Sequence, residues 1–112
     1  MKIAKLVFLL LTLGIFGPVY ATPGMPSIVP SVVFTDAAGN ESTDSYFSGS
    51  APIKATFKLN PSDADGWTAH YEWRFFKEGK ENEPYLVRYE EDTEYIFAES
   101  GVNHVVCYTV FT

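Results

Sequence analysis

The chain has 112 residues, of which 16% are aromatic, and it carries 14 acidic against 8 basic side chains, a formal net charge of −6. A chain of this length forms one domain. Its acidic balance argues against binding to nucleic acid or to anionic membrane surfaces, because both require clustered Lys and Arg.

The first 21 residues have the organisation of a signal peptide. Lys2 and Lys5 precede the apolar run Leu6 to Phe16, which Gly17-Pro18 ends shortly before the small residue Ala21. The apolar run is about half of the roughly 20 residues that a membrane-spanning helix needs. We therefore predict cleavage after Ala21 and a secreted, periplasmic or cell-surface location, with no membrane insertion of the mature chain.

Removal of residues 1–21 leaves 91 residues with six basic and 14 acidic side chains, a net charge of −8. Residues 22–30 contain three prolines and are predicted to form an extended Pro-rich leader. Residues 31–112 are predicted to form the folded domain. Because Cys107 is the sole cysteine, no intrachain disulfide can stabilise this domain.

Within the predicted domain, apolar and polar side chains alternate with the two-residue period of half-buried antiparallel strands. The stretch Ile53 to Leu59 alternates strictly, and the stretch Tyr71 to Phe75 places Tyr71, Trp73 and Phe75 on one inward face. Turn-forming residues dominate 36–50, apart from a brief strand at Tyr46 and Phe47. The pattern predicts an all-β fold, an antiparallel β-sandwich of about six to seven strands, with the clearest strands at 31–35, 52–59, 67–76, 84–89, 93–98 and 102–111.

Three motifs resemble those of the PKD (polycystic kidney disease-type) domain. They are Ala51-Pro52-Ile53 before the second strand, Tyr71-Glu72-Trp73-Arg74-Phe75 followed by Gly79, and Phe97 four residues before Gly101. The resemblance covers roughly residues 28–111. It implies an immunoglobulin-like β-sandwich that acts as a non-catalytic binding or spacer module of secreted and surface proteins, with protein or polysaccharide partners.

The last predicted strand departs from the family pattern. The family's inward positions fall on residues that are more polar than usual, namely Asn103, Val105, Cys107 and Thr109. Apolar side chains such as Val106 and Tyr108 then face outward, so either the register shifts by one residue or a second surface covers this sheet.

The family also has a further strand beside this one, and its absence would leave the backbone edge near Phe111 unpaired. Three explanations are open. The first strand or the Pro-rich leader covers the edge, a partner donates a strand or the chain self-associates there, or the chain is the truncated remainder of a longer secreted protein.

Residue types that carry catalysis or bind metals are sparse. His70, His104 and Cys107 are the only imidazoles and the only thiol, and no orienting third group accompanies them, so we expect neither an enzyme nor a cofactor. Asp63 and Asp65 match the start of a calcium loop without its remaining oxygen ligands. They are a weak calcium candidate, and a solvated turn is the favoured interpretation.

Trp67, Tyr85 and Tyr108 do not share the inward positions of the other rings and are therefore the candidate ligand-binding residues. Exposed rings of this kind stack on the apolar faces of sugars. We expect an exported, non-catalytic module that contacts protein or polysaccharide. The alternatives are a carbohydrate-binding module that uses these rings, a truncated remnant of a larger secreted protein, and a small secreted enzyme or inhibitor.

Overall fold

The computed structural model describes the backbone of residues 3–15 and the whole of residues 26–112. Within these ranges the regular structure consists of strands, which confirms the all-β prediction. In chain order they are β1 (Ile3–Ile15), β2 (Ser27–Ile28), β3 (Ser31–Thr35), β4 (Glu41–Ser42), β5 (Phe47–Ser50), β6 (Ile53–Lys58), β7 (Pro61–Ser62), β8 (Ala69–Lys77), β9 (Leu86–Arg88), β10 (Thr93–Phe97) and β11 (Gly101–Phe111).

The described strands form two main sheets and one small one. A five-stranded sheet has the order β5-β1-β11-β8-β9, and a four-stranded sheet has the order β10-β6-β3-β4. A short ribbon of β2 and β7 fixes residues 27–28 of the predicted leader against residues 61–62. Among these pairings only that of β1 with β11 is parallel.

Phe57 on β6 lies at the centre of an aromatic core between the two main sheets. Its ring centroid lies 5.3 Å from that of Trp73 and 6.1 Å from that of Phe75, both on β8 of the other sheet. Phe34 on the neighbouring strand β3 is 6.2 Å away. All four side chains are at most 1% exposed. The predicted inward faces of these strands are therefore confirmed, and the sheets enclose one core as in a sandwich.

The register of β11 agrees with the assignment that places its more polar residues inside. Val105, Cys107 and Thr109 are fully buried and Asn103 nearly so. Pairing with β8 is continuous from Asn103 opposite Lys77 to Phe111 opposite Ala69, without a one-residue shift. The opposite face of β11 therefore carries half-buried apolar side chains, and Tyr108 there lies under the Arg74 guanidinium at 4.8 Å.

The edge of β11 near Phe111 is covered within the chain, but by neither the predicted first strand nor the Pro-rich leader. β3 pairs with β4 and β6 in the other sheet, and of the described leader residues 26–30, residues 27–28 pair with β7. The strand beside β11 is β1, which falls within the predicted signal peptide. The predicted cleavage site after Ala21 lies outside the described residues. In the ranges that are described, no helix is long and apolar enough to cross a membrane.

The turn after β3 is organised by the carboxylate of Asp36. Its Oδ1 accepts hydrogen bonds from the backbone N–H groups of Ala38 at 2.9 Å and Asn40 at 2.8 Å, and Oδ2 accepts one from the Asn40 side chain at 3.1 Å. Gly49 of β5 lies directly against it, since a Cβ there would come within 2.8 Å of the Asp36 Cβ. The hydrogen bonds from Asn40, more than those from the other backbone groups, lower the pKa of the Asp36 carboxyl from its ordinary 3.8.

A second anchored turn connects β9 to β10. The indole Nε1–H of Trp73 donates to the backbone carbonyl of Glu90 at 2.8 Å, and the hydroxyl of Tyr71 donates to the carboxylate of Glu91 at 3.2 Å. The acidic turn is therefore exposed in its side chains and fixed in its backbone by the core tryptophan.

Replacement of Trp73 by Phe should lower the free energy of unfolding by about 1–3 kcal/mol, because the Glu90 carbonyl loses its donor and a cavity forms. Urea denaturation followed by circular dichroism measures the change. Trp67→Phe, at a half-buried position outside the core, is the matched control and should stay within about 0.5 kcal/mol of the unmodified chain. Equal losses in the two variants would contradict the role of the indole hydrogen bond.

Replacement of Asp36 by Ala should destabilise the chain at pH 7, by an amount that shrinks in acid. A carboxyl whose folded pKa is lowered contributes its full stability above its unfolded pKa and loses that contribution as the pH falls through the folded value. The free energy of unfolding of both proteins should therefore be measured between pH 7 and pH 2, with Asp65→Ala as a control for loss of an exposed carboxylate. A difference that stays constant down to pH 2 would contradict the prediction.

Candidate ligand-binding site around Tyr85

The three candidate rings lie in different parts of the fold. Tyr85 is hydrogen-bonded to Asn103 near the start of β11, whereas Trp67 lies next to Thr68, which pairs with Thr112 beyond the end of that strand. At about 3.3 Å per residue, the intervening length of β11 separates the two ends by roughly 26 Å. Tyr108 belongs to the outward face of β11. The structure therefore does not bring these rings together in one platform.

Of the three candidate rings, Tyr85 is the one that neighbouring residues hold in place most fully. Its backbone N–H donates to the carbonyl of Phe75 at 2.9 Å, which attaches the residue to β8 just ahead of β9. Its hydroxyl donates to Oδ1 of Asn103 at 2.9 Å. Its ring lies 6.3 Å from that of Phe75 and 6.2 Å from that of Tyr95. The side chain is therefore held at both ends, although 39% of the residue remains exposed.

The hydroxyl of Tyr85 is hydrogen-bonded to a buried side chain. Asn103, which accepts its hydrogen bond, is only 5% exposed. Burial, with a smaller contribution from nearby Tyr95, raises the pKa of the Tyr85 phenol above its ordinary value of 10.0. The phenol therefore remains a neutral hydrogen-bond donor at physiological pH.

A charged pair borders the ring. The Nζ of Lys77, the last residue of β8, lies 5.6 Å from the Tyr85 ring centroid and 3.8 Å from a carboxylate oxygen of Glu99. The side chains of Lys77 and Glu99 are 52% and 82% exposed, so solvent screens their attraction and either can exchange this contact for a ligand.

Two hollows meet at Tyr85 and Lys77. One has a volume of about 280 Å³ and is lined by Lys77, Tyr85, Tyr95, Phe97, Ala98, Glu99 and Asn103. The other has a volume of about 370 Å³ and is lined by Lys77, Lys80, Glu83, Pro84 and Tyr85. We call this region, with both hollows, the Tyr85 surface. It combines an exposed ring with ammonium, carboxylate and amide groups within one short stretch of surface.

The turn after β8 brings Lys80 and Glu83 to this surface. Gly79 adopts a φ of +81°, which residues with a Cβ rarely adopt, and Lys80 N–H donates to the carbonyl of Lys77 at 3.0 Å. Glu83 N–H in turn donates to the carbonyl of Lys80 at 3.2 Å. The chain therefore reverses tightly and returns at Pro84 and Tyr85.

The other two candidate rings are less accessible to a ligand. Tyr108 is half-buried, and the guanidinium that lies over its ring is itself bound to Glu72 at 2.6 Å. Trp67 is also half-buried, and its backbone N–H donates to the carbonyl of Ala64 at 3.0 Å in the turn before β8.

Asp63 and Asp65 lie exposed on that same turn, where Asp63 has a φ of +56° and Gly66 a φ of +82°. Within residues 26–112, no three His, Cys, Asp or Glu side chains are grouped so that they could hold a metal ion. The turn itself therefore offers a cation two carboxylates, fewer than calcium coordination requires.

Cys107 and the two histidines lie on opposite faces of the five-stranded sheet. Cys107 is fully buried, and burial raises the pKa of its thiol to about 11, so that it is protonated at neutral pH. His70 and His104 belong to the outward positions of β8 and β11, and the Nε2 of His104 lies 3.8 Å from a Glu81 carboxylate oxygen. The thiol and the imidazoles are therefore not placed to act together.

Sequence reasoning identified Tyr85 but missed the groups around it. Asn103 was noted only as a polar residue at an inward position, and that pattern is itself informative because a buried amide requires a hydrogen-bond partner. No local sequence pattern predicts that Lys77 and Glu99 are neighbours, because they are brought together by the pairing of β8 with β11. Two further exposed rings, Tyr46 at 52% and Tyr89 at 69%, lie outside the lining of both hollows.

Comparison with known proteins identified no relative. No family model, no curated protein and no solved structure matches the chain.

Tyr85 and Asn103 should be energetically coupled through their hydrogen bond. We expect Tyr85→Phe to lower the free energy of unfolding by about 1 kcal/mol, because it leaves the Asn103 carbonyl oxygen buried without its donor. A double-mutant cycle with Asn103→Ala should give a coupling of about 0.5–1.5 kcal/mol in urea denaturation. Additive effects of the two substitutions would show that the bond does not fix the ring.

Proposed function

We propose that this chain is an exported, non-catalytic binding module with an immunoglobulin-like sandwich of the PKD type, and that its Tyr85 surface binds a neutral polysaccharide. The observation that carries this proposal is the fixation of Tyr85 at its hydroxyl and backbone while its ring stays exposed between two hollows. A ring that is already ordered loses little conformational entropy on stacking against a sugar.

The groups around the ring support a sugar as the ligand. Lys77 and Lys80 supply ammonium donors, and Glu83 and Glu99 supply carboxylate acceptors, so the hydroxyls of a sugar find both kinds of partner beside the ring. Apolar ring faces and edge hydroxyls are the two features that a pyranose presents.

Charge favours a neutral polysaccharide over an anionic one. The two lysines and two glutamates of the Tyr85 surface balance each other, and the predicted mature chain carries a net charge of −8 that repels polyanions. Export and the PKD-type fold rest on the N-terminal organisation and on the motifs around Trp73. The all-β architecture is compatible with the PKD-type fold.

Affinity electrophoresis of the purified chain in gels that contain neutral soluble glucans, mannans, xylans or galactans tests the proposal. We expect retardation by at least one of these polymers. Tyr85→Ala should weaken that binding by at least tenfold, as loss of an aromatic anchor at the centre of an interface does. Tyr89→Ala, which removes another exposed tyrosine, is the matched control and should bind like the unmodified chain. Migration unaffected by every polymer, or equal losses in the two variants, would refute the assignment.

A further inference from the structure

The turn between β3 and β4 carries a sequence motif that the Tyr85 surface does not use. In Asn40-Glu41-Ser42 an asparagine is followed at the second position by a hydroxyl residue, with no proline between them. Asparagine in such a triplet is the acceptor for N-linked oligosaccharides in exported proteins. It can carry an oligosaccharide in the folded protein only if its side chain reaches solvent.

The motif distinguishes Asn40 from the other three asparagines of the chain. Asn60 is also followed by a serine at the second position, but Pro61 lies between them and makes the triplet unsuitable. Asn82 and Asn103 are followed at the second position by proline and valine, and therefore lack the hydroxyl. Asn40 is thus the one asparagine of the sequence with a complete acceptor triplet.

The structure places Asn40 on an exposed turn with a fixed backbone. Residues 37–41 are all exposed. The backbone N–H of Asn40 donates to Oδ1 of Asp36 at 2.8 Å, and its carbonyl accepts from the Asp36 N–H at 3.0 Å. A Cβ added at the neighbouring Gly39 would have no atom of the described residues within 4 Å. The space around this turn is therefore open to a bulky group.

The amide nitrogen of Asn40 has a hydrogen to lose. Nδ2 carries two hydrogens, and it donates one of them to Oδ2 of Asp36 at 3.1 Å. Glycosylation forms a bond from Nδ2 to the anomeric carbon of the first sugar and breaks the bond from that carbon to the pyrophosphate of a lipid-linked donor. The electron pair of the broken bond leaves with the pyrophosphate oxygen, and one Nδ2 proton is released. The product keeps one N–H, so the hydrogen bond to Asp36 and the oligosaccharide can coexist.

The turn also lies at the edge of the four-stranded sheet. It leads into β4, the last strand in the order β10-β6-β3-β4, which pairs with β3. An oligosaccharide at Asn40 therefore extends from the periphery of the sheet and displaces no core side chain. A bulky hydrophilic group beside an outer strand also hinders pairing of that strand with another molecule.

We propose that Asn40 is an N-glycosylation site, at which the chain accepts an oligosaccharide from a lipid-linked pyrophosphate donor during export. This inference rests on the export that belongs to the proposed function, and it commits the chain to a route that contains an oligosaccharyltransferase. It is independent of polysaccharide binding, because Asn40 lines neither hollow of the Tyr85 surface.

Expression of the full chain in a secreting eukaryotic cell line tests the proposal. We expect most of the secreted chain to exceed the mass of residues 22–112 by that of one oligosaccharide. Digestion with peptide-N-glycosidase should remove the added mass and convert Asn40 into aspartate, which peptide mass spectrometry locates. A secreted chain with the mass of the unmodified polypeptide would overturn the proposal alone. An intracellular chain that retains residues 1–21 would overturn the proposed export as well, so the two failures are distinguishable.

Four variants identify the acceptor. Asn40→Gln and Ser42→Ala should both abolish the added mass, and Ser42→Ala does so without altering the asparagine that is bonded to Asp36. Ser42→Thr retains a hydroxyl and should keep the added mass. Asn82→Gln is the matched control, since Asn82 is also exposed on a turn, and it should keep the added mass too. An oligosaccharide that survives Ser42→Ala, or one that is lost in Asn82→Gln, would overturn the assignment to Asn40.

Discussion

The packing of Phe57 against Trp73 and Phe75 is the interaction on which the rest of the structure depends. These rings come from different sheets, and their contact at 5.3 and 6.1 Å fixes how the sheets face each other. Trp73 extends the constraint outward through its indole hydrogen bond to Glu90, and Phe75 extends it to Tyr95 and Tyr85. Because a single cysteine excludes an intrachain disulfide, this aromatic core and the strand pairing must stabilise the domain.

Alternation in the sequence predicted the six clearest strands well, because a strand with one face against the core alternates apolar and polar side chains. β3 has its predicted bounds, and the other five clear strands begin and end within two residues of theirs. The two-residue strands β2, β4 and β7 were not predicted, since their pairing with distant segments leaves no periodic pattern. The position of β1 was also not predictable from alternation, because its apolar residues follow one another without a two-residue period.

In the candidate site, too, the local sequence pattern predicted some features, whereas others depend on contacts between residues that are distant in the sequence. The alternation of inward and outward positions along each strand distinguished the core rings from Tyr85. It could not show that Tyr85 is a better candidate for ligand binding than Trp67 or Tyr108. What distinguishes Tyr85 is its bond to Asn103, and that bond depends on the pairing of β8 with β11. The polar residues of β11 thus have two explanations: Asn103 orients an aromatic ring, and Cys107 and Thr109 are buried beside each other, 3.8 Å apart at their Sγ and Oγ1 atoms.

The pairing of β1 with β11 also determines when folding can finish. Ala4 and Gly101, which lie side by side in the sheet, are 97 positions apart in the chain. Contacts over such distances in sequence slow folding, because the intervening chain must be ordered before they form. During synthesis β1 leaves the ribosome first, and it cannot pair with β11 until that strand has also been made. The five-stranded sheet therefore closes only once β11 has been synthesised, and until then β1 lacks its longest pairing.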